Sequence, residues 1–328
     1  MKTVILTHAD GDGICCGAIA LSRFPDAEVF FTKPVSLLRD LRDTRGERIV
    51  ISDIALNRRD APEIVKLMKE KAAGGTDILY FDQHPIPDNI KLNDLKKACR
   101  VFSHDPTGSS SEVIYRYYQK ELPMEREWIA IYGGIADYAE TPFVLEKLRN
   151  WDIRALYFEV STLVLGIKMK AFDRYDAKRD IVRVMAKGGN PSDIFGLVKA
   201  AKRAVNMEFD LFEIIKKRAS TSGNIGIVET IPSFGFRGPA ALFAATARNK
   251  PVGMCFHRRR DHVDVTIRQR NKKFILHRLA EEAAGEVNGS GGGLPEAAGG
   301  RIPDGTLQEF LKKFNSLMKM PEFQRKEG

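Results

Sequence analysis

The first half of the chain alternates short apolar runs with amphipathic stretches. The apolar runs span residues 4–7, 48–52 and 78–81, and each ends in a polar turn. Apolar residues recur at helical spacing in the stretches 13–24, 61–73, 109–119 and 128–137. A short apolar run bounded by turns predicts a buried strand, and a period near 3.6 residues predicts a helix. Because strands and helices alternate, we expect a doubly wound parallel sheet.

The second half begins with a long helical stretch and continues with another alternating pattern. Residues 151–220 read as almost wholly helical, with Pro191 marking a break. Strands are then predicted at 225–229, 252–256 and 262–268, helices at 239–248, 274–284 and 306–318, and a glycine-rich loop at 289–300. The predicted fold class is α/β: an N-terminal domain over residues 1–195, a helical linker over 196–223 and a smaller C-terminal α/β domain over 224–328.

The composition fits a folded protein with two domains. The chain has 328 residues, of which 43% are hydrophobic and 29% charged, enough for two hydrophobic cores. No apolar run approaches the roughly 18 residues of a membrane span, and the N-terminus lacks the apolar region of a secretory signal. The four cysteines form no CxxC pair, which argues against a zinc site or a disulfide framework. We therefore expect a cytoplasmic protein without a membrane partner.

The net charge of +9 is unevenly spread along the chain. Residues 168–279 carry 24 Lys and Arg against 10 Asp and Glu, whereas residues 1–167 carry 22 against 25. A basic segment beside an acidic site favours a polyanionic substrate, whose phosphates the basic part would bind. A generally basic, solvated surface is the alternative reading, since charge alone carries little specificity.

Acidic residues follow the predicted strands at the point where each strand ends. Asp10 and Asp12 follow the first strand, Asp53 the second and Asp82 the third. The carboxyl ends of parallel strands share one edge of a sheet, so we expect these carboxylates to converge, joined by His8, His84 and Asp137. Mixed imidazole and carboxylate ligands suit Mn²⁺ better than Ca²⁺. The pattern predicts two divalent ions that polarise a phosphate, although each motif alone also fits a turn or a helix cap.

In this order, these residues resemble the motifs of the DHH phosphoesterase superfamily. Motif I is matched by residues 7–13 (THADGDG), motif II by 51–53 (ISD), motif III by 82–84 (DQH) and motif IV by 136–138 (ADY). Residues 105–111 (DPTGSSS) are similar to a family segment that precedes a helix. Residues 291–299 (GGGLPEAAG) resemble the signature of the associated DHHA1 domain. The resemblance covers nearly the whole chain.

The resemblance implies a metal-dependent phosphodiesterase with two divalent ions, Mn²⁺ being preferred and Mg²⁺ or Co²⁺ being alternatives. Asp53 would bridge the two ions. Asp82 would support the site, and His84 would face the substrate phosphate as a polarising or acid group. The positions that match the family's metal ligands are His8, Asp10, Asp12, Asp53 and Asp137.

Substrate contacts are also implied on both predicted domains. Arg268, at the end of a predicted strand, matches the arginine that this domain often offers to substrate, and the alternative is an exposed strand-end cation. Consecutive glycine amides at a helix-like start form a nest that holds phosphate. The remaining candidate substrate-binding residues are Ser109, Ser110, Gly291, Gly292 and Gly293.

Two positions depart from the family's pattern. Gln83 stands where motif III has its first histidine, so it is a candidate ligand that is weaker than imidazole. Leu294 stands where the glycine signature has a histidine, and leucine offers no hydrogen bond. Gln83 predicts a second ion that binds more weakly, and Leu294 stands where the resemblance implies a histidine near the scissile phosphate. The alternative is a catalytically dead protein that is kept for binding.

Three activities agree with this pattern. The first is a RecJ-like exonuclease on single-stranded DNA or RNA, similar to archaeal nucleases that associate with a DNA helicase or a replication complex. The second is an oligoribonuclease or cyclic-dinucleotide phosphodiesterase. The third is a catalytically weakened binding subunit of a repair or replication assembly. The sequence favours the first. Cleavage of DNA in the 3′–5′ direction to mononucleotides is what the resemblance to archaeal nucleases implies, since these residues do not encode polarity.

Overall fold

The computed structural model describes residues 1–229 and 236–325. The chain divides between Ala204 and Val205 into two compact units. One long helix, α10 (Leu197–Arg218), crosses the division. The predicted α/β fold, with an N-terminal parallel sheet and a second sheet near the C-terminus, is confirmed.

The first unit is built on a five-stranded sheet in which every neighbouring pair is parallel. The spatial order of the strands is β2-β1-β3-β4-β5. Their bounds are β1 Thr3–Thr7, β2 Glu28–Phe31, β3 Arg48–Ser52, β4 Asp77–Asp82 and β5 Val101–His104. After β1 the chain turns to one side of the sheet for β2 and then crosses to the other side for β3. Such a switch point opens a crevice at the carboxyl ends of β1 and β3.

Helices cover both faces of this sheet. Alternate strand residues point to opposite faces, so Ile5 and Val50 enter one hydrophobic core while Leu6 and Ile51 enter another. The helices of this unit are α1 Gly11–Arg23, α2 Leu37–Asp43, α3 Ala61–Ala73, α4 Leu92–Ala98, α5 Ser110–Tyr118, α6 Glu127–Ala136, α7 Pro142–Asn150, α8 Ile153–Gly166 and α9 Tyr175–Ala186. The two cores together make the sheet doubly wound.

The second unit is built on a six-stranded sheet with the order β10-β11-β9-β8-β7-β6. Its pairs are antiparallel except for the parallel pair of β7 and β8. The strands are β6 Ser220–Ser222, β7 Ile225–Glu229, β8 Val252–Arg258, β9 His262–Gln269, β10 Ser290–Gly293 and β11 Ala297–Pro303. The helices are α11 Arg237–Ala247, α12 Leu276–Glu286 and α13 Leu307–Leu317.

The predicted glycine-rich loop is wrong, because its two ends are strands. Ser290–Gly293 and Ala297–Pro303 pair as an antiparallel hairpin in which Gly291 lies opposite Gly300. A β-carbon on Gly291 would lie 2.2 Å from the carbonyl oxygen of Ala280, so α12 packs directly on this strand. Gly291, Gly292 and Gly293 therefore form an edge strand in this structure, and the nest at a helix start is not formed.

The elements that the sequence pattern missed are all short. Apart from the two strands of the glycine-rich segment, they are β2, α2, α4, β5, α7 and β6, of three to nine residues each. The first predicted helix begins at Gly11 instead of residue 13, because Asp10 caps it. In the part of the chain that the structure describes, no helix combines the length and the apolar character that a bilayer crossing requires.

Candidate metal centre

The parallel sheet brings the predicted acids to one edge. His8 and Asp10 follow β1, Asp53 follows β3, and Asp82 is the last residue of β4. Asp137 caps the C-terminus of α6, whose preceding turns pack against α1. These elements are far apart in sequence, and the convergence that the strand ends predicted is present in the structure.

The loop after β1 is held by hydrogen bonds of its own. One carboxylate oxygen of Asp10 accepts the N–H of Gly13 at 3.0 Å and so caps α1. The other lies 2.7 Å from Nδ1 of His8. The Thr7 hydroxyl donates to the carbonyl oxygen of Gly13 at 2.7 Å. His8 and Asp10 thus stand in a fixed relation before any ligand arrives.

Asp12 is fully buried and is oriented by the start of α5. Its carboxylate accepts the backbone N–H groups of Ser110 at 2.8 Å and Ser111 at 3.2 Å. Gly133 of α6 makes this approach possible, since a β-carbon there would lie 2.4 Å from the Asp12 carboxylate. The acid is therefore clamped between two helices.

Asp53 is the residue that all three ligand groups share. Its side-chain oxygens lie with His8 and Asp10, with Asp82 and His84, and with Asp12 and Asp137, each group having its ligand atoms within 4.8 Å of one another. The backbone of Asp53 has φ of +57°, a left-handed conformation that is uncommon outside glycine. One oxygen accepts the Ser110 hydroxyl at 3.1 Å. The other, Oδ2, is buried and has no hydrogen-bond partner among residues 1–229 and 236–325.

The third motif forms a compact network around Asp82. Its carboxylate lies 2.9 Å from Nδ1 of His84 and accepts the Tyr80 hydroxyl at 3.1 Å. Gln83 is buried, and its amide nitrogen donates to Asp137 at 2.5 Å. Gln83 therefore orients a neighbouring carboxylate in this structure.

The crowding and burial of the acids shift their pKa values. Burial, and then the charge of Asp10, raise the pKa of Asp53 well above its ordinary value. Burial and the charge of Asp137 do the same to the pKa of Asp12. Burial and the charge of Asp10 raise the pKa of Asp137 to about 6. Burial alone would lower the pKa of His84, but the charge and hydrogen bond of Asp82 raise it to about 9.

These features fit divalent cations. Carboxylate and imidazole donors are the set that Mn²⁺ and similar ions take. The unpartnered oxygen of Asp53 is a strong acceptor held out of water, and a buried acceptor of that kind is costly unless something binds it. Since Asp53 joins three ligand groups, the arrangement can hold more than one ion.

The candidate substrate-binding serines lie at the buried start of α5, in contact with the acids. Ser109 and Ser110 are both fully buried. The Ser109 hydroxyl accepts the N–H of Glu112 as the cap of α5, while Ser110 donates to Asp53. In this structure these two residues orient α5 and the carboxylates.

The other candidate substrate residues lie in the second unit. Arg268 is on β9, where its guanidinium donates to the carbonyl oxygen of Ile267 at 2.9 Å and lies beside Gly238 of α11. Leu294 lies in the turn between β10 and β11, and its backbone N–H donates to Ala297 at 2.8 Å.

Two supporting residues escaped the sequence patterns. Lys178 of α9 is buried, and its ammonium donates to the Ala9 carbonyl oxygen at 3.0 Å, between His8 and Asp10. It shares a helix face with Ile181 and Met185, so a lysine on the apolar face was the available signal. Gly133 gave no signal, because the need for glycine comes from α1 and α5.

Comparison with known proteins agrees with this architecture. The profile of the DHHA1 domain matches residues 237–320, within the second unit. No curated protein sequence gives a significant match. Among solved structures, one similar chain is the DHH domain of a protein described as a member of a family of ribosomal proteins. The TM-score is 0.67 at 14% identity, over 97% of this chain and 87% of that one.

Two further structures share the fold. RecJ from Thermus thermophilus in complex with Mn²⁺ has a TM-score of 0.65 at 16% identity, over 97% of this chain and 52% of RecJ. PggH, a pGpG-specific phosphodiesterase from Vibrio cholerae, has a TM-score of 0.57 at 12% identity, over 97% and 99% of the two chains. The present chain spans about half the length of that RecJ.

Proposed function

We propose that this chain is a metal-dependent phosphodiesterase of the DHH/DHHA1 superfamily, because residues 237–320 match the profile of the DHHA1 domain and the overall fold is similar to that of a DHH domain. The single observation that carries the proposal is Asp53. Its carboxylate is common to three ligand groups, and one of its oxygens is buried without a hydrogen-bond partner in the described chain. That oxygen supports Asp53 as a proposed metal ligand.

The proposed ligands are His8, Asp10, Asp12, Asp53 and Asp137, and the proposed ions are Mn²⁺ first, then Mg²⁺ or Co²⁺. When bound, such ions polarise a phosphate and lower the pKa of coordinated water. Ser110 and Ser111 keep the carboxylates in place through the hydrogen bonds described above. His84 is oriented by Asp82 through Nδ1, so its other ring nitrogen is the one proposed to give a proton to the leaving oxygen.

The proposed substrate is single-stranded nucleic acid, cleaved from an end. The charge distribution supports this choice, because 24 of the 52 Lys and Arg residues fall within residues 168–279. Fold similarity to RecJ supports it as well. We propose DNA as the substrate, 3′–5′ cleavage to mononucleotides, and a role in repair or replication with a helicase or a replication complex as partner.

A second candidate substrate is a dinucleotide or short oligonucleotide. The observation that favours it is fold similarity to PggH, because the alignment covers 97% of this chain and 99% of that pGpG-specific enzyme. Both candidates use the same metal centre and differ in the strand length they accept. A catalytically weakened binding subunit is the third outcome, and Gln83 and Leu294 are the residues that favour it.

The test is hydrolysis of end-labelled DNA and RNA strands of 2 to about 30 nucleotides with Mn²⁺, Mg²⁺ or Co²⁺. Loss of long strands supports the exonuclease, and cleavage of only the shortest strands supports the second candidate. Binding without turnover supports the third. Asp53→Asn is expected to abolish hydrolysis, and Asp26→Asn, an exposed acid of the same unit, is the matched control. Unchanged hydrolysis by Asp53→Asn would refute the metal assignment.

A further inference from the structure

Tyr138 has an unusual backbone directly beside the metal centre. Helix α6 ends in a Schellman motif, in which the N–H of Tyr138 donates to Ile135 at 3.1 Å and the N–H of Ala139 donates to Gly134 at 2.9 Å. This motif places Tyr138 at the position that glycine usually takes, with φ of +56°. A residue with a β-carbon is strained there.

In the described part of the folded chain, no aromatic or cationic contact of the Tyr138 ring offsets the strain of its backbone. Tyr138 is 87% exposed, the largest exposed fraction of any tyrosine in the described residues. Its ring has no aromatic or cationic neighbour among residues 1–229 and 236–325. An exposed aromatic ring on a strained backbone is a combination that stability alone does not select, and such strain collects at ligand-binding positions.

The position of Tyr138 indicates what it meets. It follows Asp137, whose carboxylate lies within 4.8 Å of ligand atoms of Asp12 and Asp53. A phosphodiester at these carboxylates would have its nucleobase one sugar away, and Tyr138 is the next residue of the chain after Asp137. Aromatic rings stack on bases of any sequence, and they gain affinity without fixing sequence.

We propose that the Tyr138 ring is a stacking platform for the nucleobase next to the phosphodiester at the metal centre. The inference rests on the proposed function and deepens it, because it makes the substrate a base-bearing phosphodiester. Tyr138 binds substrate through its ring and takes no part in the chemical step.

The experiment compares two tetramers by isothermal titration calorimetry, with Ca²⁺ in place of Mn²⁺ to prevent turnover. One tetramer is tetradeoxyadenylate, and the other has the same backbone with abasic sites. The unmodified protein should bind the abasic tetramer about tenfold or more weakly. Tyr138→Ala should remove that difference, and Tyr138→Phe should retain it.

Two controls separate stacking from a structural role. Tyr138→Gly keeps the left-handed conformation without strain, so it should raise the melting temperature by about 2–4 °C while losing base-dependent binding. Tyr157→Ala removes another exposed tyrosine of the same unit and should change neither property.

The inference is overturned if Tyr138→Ala weakens both tetramers by the same factor, since the residue would then act through Asp137. It is also overturned if the unmodified protein binds both tetramers equally or binds neither. Hydrolysis with Mn²⁺ is measured separately. Hydrolysis without base preference would leave the proposed function standing and remove the role of Tyr138. Base-dependent binding without hydrolysis would remove the proposed function and leave the role of Tyr138 standing.

Discussion

Gly133→Ala tests the proposal that close packing of α6 orients the metal centre. Gly133 lies in α6 where that helix meets the ends of α1 and α5. A β-carbon there would lie 2.1 Å from the Ser111 hydroxyl oxygen, 2.4 Å from the Asp12 carboxylate and 2.7 Å from the Ser111 β-carbon. The added methyl group would have to displace both residues.

The size of the effect follows from what those atoms can do. The Ser111 hydroxyl donates to the Ala130 carbonyl, and the Asp12 carboxylate holds two backbone N–H groups. Rotation of Ser111 cannot move its own β-carbon, so the start of α5 must shift. Overpacking of this kind costs about 1–3 kcal/mol. Alanine is about 1 kcal/mol more favourable than glycine in a helix interior. At the top of the overpacking range, the expected net loss of unfolding free energy is therefore about 2 kcal/mol.

The assay has two readings. For a unit of this size, a loss of about 2 kcal/mol lowers the melting temperature by about 4–8 °C. Mn²⁺ affinity, measured by calorimetry on folded protein, should fall by about tenfold or more because Asp12 moves. Gly285→Ala is the matched control, since that helical glycine has no atom within 4 Å of a built β-carbon and the substitution should be neutral or stabilising.

A compensating change makes the reasoning refutable. Ser111→Gly removes two of the three close contacts, so Gly133→Ala should cost about 1 kcal/mol less in that background. The packing argument fails if Gly133→Ala stabilises the protein as Gly285→Ala does. It also fails if Mn²⁺ affinity is unchanged.

Three further predictions concern single side chains. Ser110→Ala should lower the unfolding free energy by about 1–3 kcal/mol in the presence of chelator, because Asp53 loses a hydrogen-bond donor. The loss should be smaller with Mn²⁺, and an equal loss in both buffers would contradict ion binding at Asp53. Gln83→His should lower the Mn²⁺ concentration for half-saturation by about tenfold. A raised concentration would show that the hydrogen bond from the Gln83 amide to Asp137 contributes more to Mn²⁺ binding than an added imidazole does. Burial and the charge of Arg278 lower the pKa of His277 in the folded protein. The unfolded chain therefore binds the proton more readily, so the stability contributed by neutral His277 is present above its ordinary pKa of about 6.5 and is lost as pH falls. His277→Gln should therefore flatten the decline of unfolding free energy between about pH 7 and 5, and an equally steep decline in urea titrations would contradict this.

The outcomes for particular elements show how far pattern carries. Strands β3 and β7 and helix α3 have the bounds that the pattern predicted, because apolar periodicity and turn residues coincide at their ends. Strand β2 and helix α2 were missed because each is too short to show a period. The glycine-rich segment was wrongly predicted as a loop. Gly291 is required there because α12 packs directly on β10, and that contact involves residues outside the segment.

The sequence by itself determined which chemical groups are present and at which edge of the sheet they lie. A carboxylate at the end of a buried parallel strand has only one edge to occupy, so the convergence of Asp10, Asp53 and Asp82 follows from strand order alone. Tertiary structure decided what each group touches. It made Asp53 common to three ligand groups, turned Gln83 and Ser110 toward carboxylates, and placed Lys178 beneath the first loop. These contacts join residues far apart in the chain, and local periodicity holds no information about such distances.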